Sequence, residues 1–237
     1  PKVAGAAYVF VHDGASSWPL REELVADDAA LGDRFGGAVS MSGDSIVIGA
    51  PGGNNGRGLY GSVYTFERDG AGGWLQEAKL RSLDAARVDY FGQSVSLSGD
   101  TAVIGTPFDD VQYHDQGAIH VFERNASGDW VRETKLTPSD GWDADHFGFS
   151  TAIRGDTIIA GAHQDDDGGD FSGSAYIFSR DGSGEWTEEV KLLPSDPQAY
   201  GRFGYSVALS EDEHVAVVSG YKMRNGDINF GAAYVFT

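Results

Sequence analysis

Cysteine is absent from the chain, and that removes disulfide cross-links, thiolate nucleophiles and thiolate zinc sites together. Cations are scarce. Seventeen lysines and arginines face 36 aspartates and glutamates, a formal charge of −19 over 237 residues. Such a surface repels a polyanion, and no basic stripe is present to neutralise phosphates, so nucleic acid is excluded as a partner. No apolar run approaches the roughly 18 residues of a membrane-spanning helix, which argues against membrane insertion. No basic and apolar leader opens the sequence, so any export signal is expected to have been removed or to lie outside it. Pro1 directly precedes a repeat element, which favours a processed or excised piece. Signatures of catalysis are missing too: there is no Gly-x-Ser-x-Gly elbow, no His-Glu-x-x-His and no phosphate-cradling glycine loop. The expectation is a non-enzyme.

What the chain does contain is repetition. The pair Phe35-Gly36 returns at Phe91-Gly92, Phe147-Gly148 and Phe203-Gly204, each step being 56 residues (91−35, 147−91, 203−147). Trp18, Trp74, Trp130 and Trp186 keep the same step, as do Phe10, Phe66, Phe122 and Phe178. A period of this length marks an array of one supersecondary unit. The division expected is a single repeat domain over 1–237, with a partial unit at 1–34 and repeats at 35–90, 91–146, 147–202 and 203–237.

Within the second repeat, residues 91–100 alternate polar and apolar side chains and end in a Ser-Gly-Asp turn, as in a strand entering a tight hairpin. Residues 101–107 are apolar at consecutive positions, as in a strand covered on both faces. A polar loop over 108–116, a third strand over 117–122 and a fourth over 130–136 follow. The fourth mixes Trp130 with Arg132, Glu133 and Lys135, the pattern that protects an exposed edge. The first carries small residues such as Ser94 and Ser96, suited to a crowded inner place. The fold class read from this is all-β: a β-propeller of four-stranded antiparallel blades, about four of them present. The Phe-Gly ring is expected to wedge between neighbouring blades, with the glycine permitting close backbone approach.

Phe35-Gly36, then Ile48-Gly49-Ala50-Pro51, then Gly61-Ser-Val-Tyr-Thr-Phe66 resemble the FG-GAP repeat of integrin α-subunit propellers. The closest form is the bacterial-type variant with a Ser-Gly-Asp hairpin and a Trp-x-x-x-x-Lys-Leu strand. The resemblance covers essentially the whole chain. It implies an extracellular or cell-surface propeller used for adhesion or ligand binding and often calcium-bound, commonly with seven blades. The calcium loop of the integrin repeats, Asp-x-Asp-x-Asp-Gly between first and second strands, is missing. Ser42-Gly43-Asp44, Ser98-Gly99-Asp100, Arg154-Gly155-Asp156 and Ser210-Glu211-Asp212 leave no room for it.

Acidic residues gather elsewhere. The second-to-third-strand loops hold Asp109, Asp110 and Asp115 in one repeat and Asp165, Asp166, Asp167 and Asp170 in the next. The last holds Asn225, Asp227 and Asn229. Clustered carboxylates can supply the six to eight oxygens calcium takes, while Asp, Asn and Gly also simply make good surface loops. Asp28, Asp84, Asp140 and Asp196 are in register before each Phe-Gly pair, as are Asp33, Asp89 and Asp145, with Gly201 in the fourth place. Their repetition favours a structural role such as an Asx turn, with a shared calcium as the alternative. His114 and His163 lie in loops near aspartates and read as plain surface. Asn125-Ala-Ser127 matches a glycosylation sequon at a turn.

The strand inventory is 2+12+3, or 17, so the two ends do not match. The chain is expected to be a segment of a larger propeller, a four-bladed ring with one displaced strand, or a unit that self-associates through open blade edges. The leading functional expectation is an extracellular binding or adhesion module taking a protein or glycan ligand. The alternatives are a building block of a surface assembly and the propeller appendage of an exported enzyme.

Overall fold

The computed structural model describes residues 4–53, 60–84, 86, 88–225 and 228–237. Among them every regular element is a strand. Three sheets are complete and antiparallel, each following the chain from first strand to fourth. They are β3 to β6 (Ala38–Ser42, Ser45–Ala50, Ser62–Arg68, Trp74–Leu80), β7 to β10 (Ser94–Ser98, Thr101–Thr106, Ala118–Arg124, Trp130–Leu136) and β11 to β14 (Phe147–Arg154, Thr157–Ala162, Ser174–Arg180, Trp186–Leu192). A leading pair, β1 (Ala7–Phe10) and β2 (Leu20–Leu24), supplies only third and fourth strands. A trailing sheet of β15 (Phe203–Leu209), β16 (Ala216–Gly220) and β19 (Ala232–Phe236) lacks a fourth. The 17 expected strands are all there. A short hairpin, β17 (Arg224–Asn225) with β18 (Ile228–Asn229), is added inside the last loop.

The sheets stack as the polarity pattern demands. The second strands are buried along their length in β4 and β8, because neighbouring sheets cover both faces. The first strands pack in sequence, β3 on β7, β7 on β11 and β11 on β15. They therefore converge on an inner margin, with the charged fourth strands at the opposite edge of each sheet. An inner edge strand has backbone N–H groups with no ladder partner, and serines of the preceding blade supply one. Ser40 Oγ accepts the N–H of Leu97 at 3.0 Å, and Ser96 Oγ accepts that of Ile153 at 3.0 Å. This is what the small residues of the first strand are for.

Four buried clusters hold the array, one at each junction between successive sheets. A ring of the Phe-Gly pair sits in every one: Phe35, Phe91, Phe147 and Phe203 are at most 3% exposed. Each meets the third strand of its own sheet edge-on, as Phe147 meets Tyr176 at 5.6 Å between centroids. The wedge expectation holds. The glycine of the pair is required sterically: a Cβ on Gly148 would lie 2.4 Å from the carbonyl oxygen of Ala118 in the preceding sheet, and one on Gly36 2.4 Å from that of Ala6. Among the described residues no fifth cluster joins the trailing sheet to the leading one. Tyr8, Phe10, Trp18, Val39 and Met41 are exposed at one end of the array, and Val217 and Val235 at the other.

Candidate functional site

The aspartates before each Phe-Gly pair are clamps. Tyr64 donates its hydroxyl to Asp28 at 2.8 Å, and Lys79 meets the other oxygen at 2.6 Å. The third repeat repeats this with Tyr176 and Lys191 on Asp140, both at 2.8 Å, and the last keeps Tyr234 on Asp196 at 2.5 Å. In the second, Asp84 holds Lys135 at 3.1 Å, and His120 replaces the tyrosine. Burial works against ionisation of Asp140, but the hydrogen bonds from Lys191 and Tyr176 outweigh it and hold the carboxyl below its ordinary value. The lysine of the Trp-x-x-x-x-Lys-Leu strand thus ties the interblade crossover to the outer sheet. The second set is buried more deeply: Asp33, Asp89 and Asp145 accept N–H groups three residues upstream, from Ala30, Ala86 and Trp142. Burial foremost, then nearby Asp165, raises Asp145 to about 7. Burial, then Asp109, raises Asp89 to about 6.

The acidic loops come together only in part. Asp165 is buried, accepting the Ser174 hydroxyl at 2.7 Å, lying 2.9 Å from the Tyr176 hydroxyl, whose one proton it shares with Asp140, and facing Lys191 at 2.9 Å. Asp167 also reaches Lys191, at 2.5 Å. Asp166 and Asp170 are exposed. One lysine therefore already neutralises much of the loop that sequence singled out. Asp109, in the equivalent place, takes Lys135 at 2.7 Å. Asp110 and Asp115 converge with His114: their ligand atoms lie within 4.8 Å of one another. Of the last loop, Asp227 lies outside the described residues, and Asn225 and Asn229 are described in backbone only. Two carboxylates with an imidazole suit a borderline cation such as zinc better than calcium, which takes oxygens.

A second grouping escaped the sequence. Seven rings run along the inner margin, from Tyr90 through Phe108, His146, His163, Phe149 and Tyr205 to Tyr221. Successive centroids are 5.1, 4.5, 5.6, 4.1, 5.1 and 4.3 Å apart. Three positions of the repeat build this row: the residue before Phe-Gly, the residue after it, and the start of the second-to-third-strand loop. The residues before the pair, Arg34, Tyr90, His146 and Arg202, all have left-handed backbones with φ between 53° and 59°. Non-glycine residues adopt that conformation only where surroundings impose it. His163 is not plain surface: it is 4% exposed. Burial foremost lowers His163 to about 3 and His146 to about 4, and the charge of Arg202 adds to both. The signal in the sequence was present but inverted, since these positions share a register and differ in residue type.

The sequence pattern described as FG-GAP repeat matches residues 18–66, 74–122, 130–178 and 186–236. No curated protein matches the chain. Among solved structures, a Lactobacillus plantarum protein superposes with a TM-score of 0.56 at 14% identity, covering 89% of this chain and 54% of its own. Sqt1 from Chaetomium thermophilum gives 0.50 at 14% identity, covering 81% of this chain and 43% of its own. The chain thus spans about half the length of these structures, and the likeness speaks to fold alone. Among the described residues no helix is long and apolar enough to cross a membrane.

Proposed function

The chain belongs to the FG-GAP repeat family, and from that premise we propose a non-enzymatic binding module of the adhesion type. It works outside the cell and takes a protein or glycan ligand at the inner margin of the loop face. The recurring residues are engaged by architecture: the Phe wedge, its glycine and, wherever a fourth strand is present, the Asp–Lys clamp. What is left to discriminate ligands is what varies. The observation that carries the reading is the ring row, because it places aromatic side chains, with Tyr205 and Tyr221 exposed at one end, on varying positions of the scaffold, where binding residues are commonly held. The test is a screen of immobilised glycans and extracellular proteins with the wild-type chain and a Tyr205→Ser/Tyr221→Ser variant of equal melting temperature. Hits lost in the variant support the reading. No hits, or only hits indifferent to the variant, overturn it.

The exposed end faces favour a second reading, self-association. Tyr8, Phe10 and Trp18 at one end and Val217 and Val235 at the other are apolar and uncovered, and such faces mark interaction surfaces. A monomeric sedimentation coefficient that holds from micromolar to millimolar concentration would remove it.

A further inference from the structure

We propose that a second binding site, apart from the ring row, lies between the second-to-third-strand loop of the second repeat and the crossover that follows it. Its ligand is a neutral hexopyranose unit of a glycan. The site shares the glycan class with the reading above and does not depend on the ring row.

The site is an open cavity of about 470 Å³, a size suited to a small ligand. Tyr113 from the loop and Trp142 from the crossover line it, their rings 4.1 Å apart at a 40° tilt. Trp142 is 55% exposed, and the repeat does not need its indole. What the architecture takes from this position is the backbone N–H that Asp145 accepts, and Ala30 and Ala86 supply the same N–H to Asp33 and Asp89. Nor does the repeat need Tyr113, since Gly169 holds its place in the third repeat (113+56). The two segments are nonetheless laced together: Ala144 donates its N–H to the carbonyl of His114 at 2.8 Å, and His114 donates its own to the Asp143 carboxylate at 3.1 Å.

A paired exchange makes room beside these rings. In the third repeat Ser172 Oγ accepts the N–H of Gly168, and Pro197 lies against that glycine. In the second repeat Gln116 stands in place of the serine, its Oε1 accepting the N–H of Gln112 at 3.2 Å, and Gly141 stands in place of the proline. A Cβ on Gly141 would lie 2.5 Å from Gln116 Nε2, so the glutamine requires the glycine. The oxygen alone does the work that the serine does. The amide NH2 is surplus: it has no hydrogen-bond partner among the described residues, although Gln116 is only 3% exposed. A buried polar group of this kind is nearly always paired. It is not one of the partnerless atoms sealed from solvent, so a ligand in the cavity that Gln116 lines can reach it.

The ligand class follows from charge and donor. No lysine or arginine lines the cavity, so nothing there holds an anion. The one carboxylate in the lining, Asp140, is already held by Lys191 at 2.8 Å, and an amide N–H repels a cation. A neutral molecule with acceptor oxygens and an apolar face fits both facts. A pyranose is such a molecule: its C–H face covers the indole and its oxygens meet the amides of Gln116 and Gln112, on aromatic surface that is ordered at small entropic cost.

The experiment is an NMR titration of the whole ¹⁵N-labelled chain with the methyl glycosides of glucose, galactose, mannose and N-acetylglucosamine. Acetate and tetramethylammonium serve as the charged probes. The expected result is that at least one glycoside shifts the Trp142 indole and Gln116 side-chain amide signals saturably, while neither ion does. Trp142→Ala carries the residue that two other repeats have and keeps the N–H to Asp145, so the fold is preserved. It should weaken binding about tenfold or more, as the loss of an aromatic anchor does. Gln116→Ser, the residue of the third repeat, keeps the acceptor for Gln112 and should weaken binding several-fold. No saturable shift with any glycoside, binding indifferent to Trp142→Ala, or equal binding of tetramethylammonium overturns the proposal. The Tyr205→Ser/Tyr221→Ser variant should bind the glycoside as wild type does. If the glycosides fail while the screen above still yields ligands lost in that variant, the ring row stands and only this cavity falls.

Discussion

Ser96 Oγ accepts the backbone N–H of Ile153 from the next blade, at 3.0 Å, with both groups buried. The bond caps an inner edge strand that has no ladder partner on that side. Ser96→Ala removes the acceptor and leaves a buried N–H orphaned. The expected loss is about 1–3 kcal/mol, the desolvation cost of the abandoned donor, read as a lower urea midpoint with an unchanged slope. A shift under about 0.3 kcal/mol would mean the strand edge finds water instead.

Phe147 is fully buried between two sheets and meets Tyr176 and Phe178. Phe147→Ala should cost roughly 3–5 kcal/mol, as for other buried aromatics. Phe35 serves the junction to the two-stranded leading pair, where less surrounds the ring. Its alanine variant should cost measurably less than that of Phe147, and equal losses would refute the idea that blade coverage sets the value of the wedge.

The repeating part of this molecule was legible and the variable part was not, for a physical reason. Phe147, Gly148 and Lys191 recur because each repeat solves the same stacking problem, so a period in the sequence exposes them. The clamp of Lys191 on Asp140 was half visible: the aspartate register suggested a turn, and its lysine and tyrosine partners lie 51 and 36 residues away, beyond any local pattern. The row from Tyr90 to Tyr221 is assembled from three sheets, and its members share position without sharing chemistry. Nothing in a single repeat announces it. The Asp165–Asp170 loop misled in the opposite direction, since its charge density was obvious while the lysine that answers it sits on the fourth strand.

That lysine makes a prediction about calcium. Lys191 faces Asp140, Asp165 and Asp167, so a divalent cation must compete with a covalently tethered charge. Calcium should move the melting temperature of the EDTA-treated wild type only slightly. Lys191→Met leaves the three carboxylates uncompensated, lowering stability at neutral pH by about 2–4 kcal/mol, and calcium should then restore several degrees. A large calcium shift in the wild type, or none in the variant, would show that the loop carboxylates do not act as one group.

Asp145 supplies the sharpest pH dependence. Its carboxyl is buried, accepts the N–H of Trp142, and is raised from an ordinary value of 3.8 to about 7 by burial first and Asp165 second. A carboxyl whose folded pKa exceeds its unfolded one binds its proton more tightly when folded. Its contribution to stability is therefore fully present below about pH 4 and lost as pH rises through about 7. Asp140 acts the other way, because its depressed value gives stability above the unfolded pKa that is lost in acid, so the wild-type profile alone cannot isolate Asp145. Asp145→Asn can. The amide oxygen still accepts from Trp142, and no charge remains to be desolvated. The variant should melt roughly 2–6 °C above wild type at pH 8.5, corresponding to about 1–2 kcal/mol in a chain of this size, and the gap should close towards pH 4. Asp89→Asn should show the same gap closing, with the upper limb of its window near pH 6. A gap that is constant with pH would mean that the Asp145 carboxyl titrates alike in the folded and unfolded chains, and the raised value would have to be abandoned.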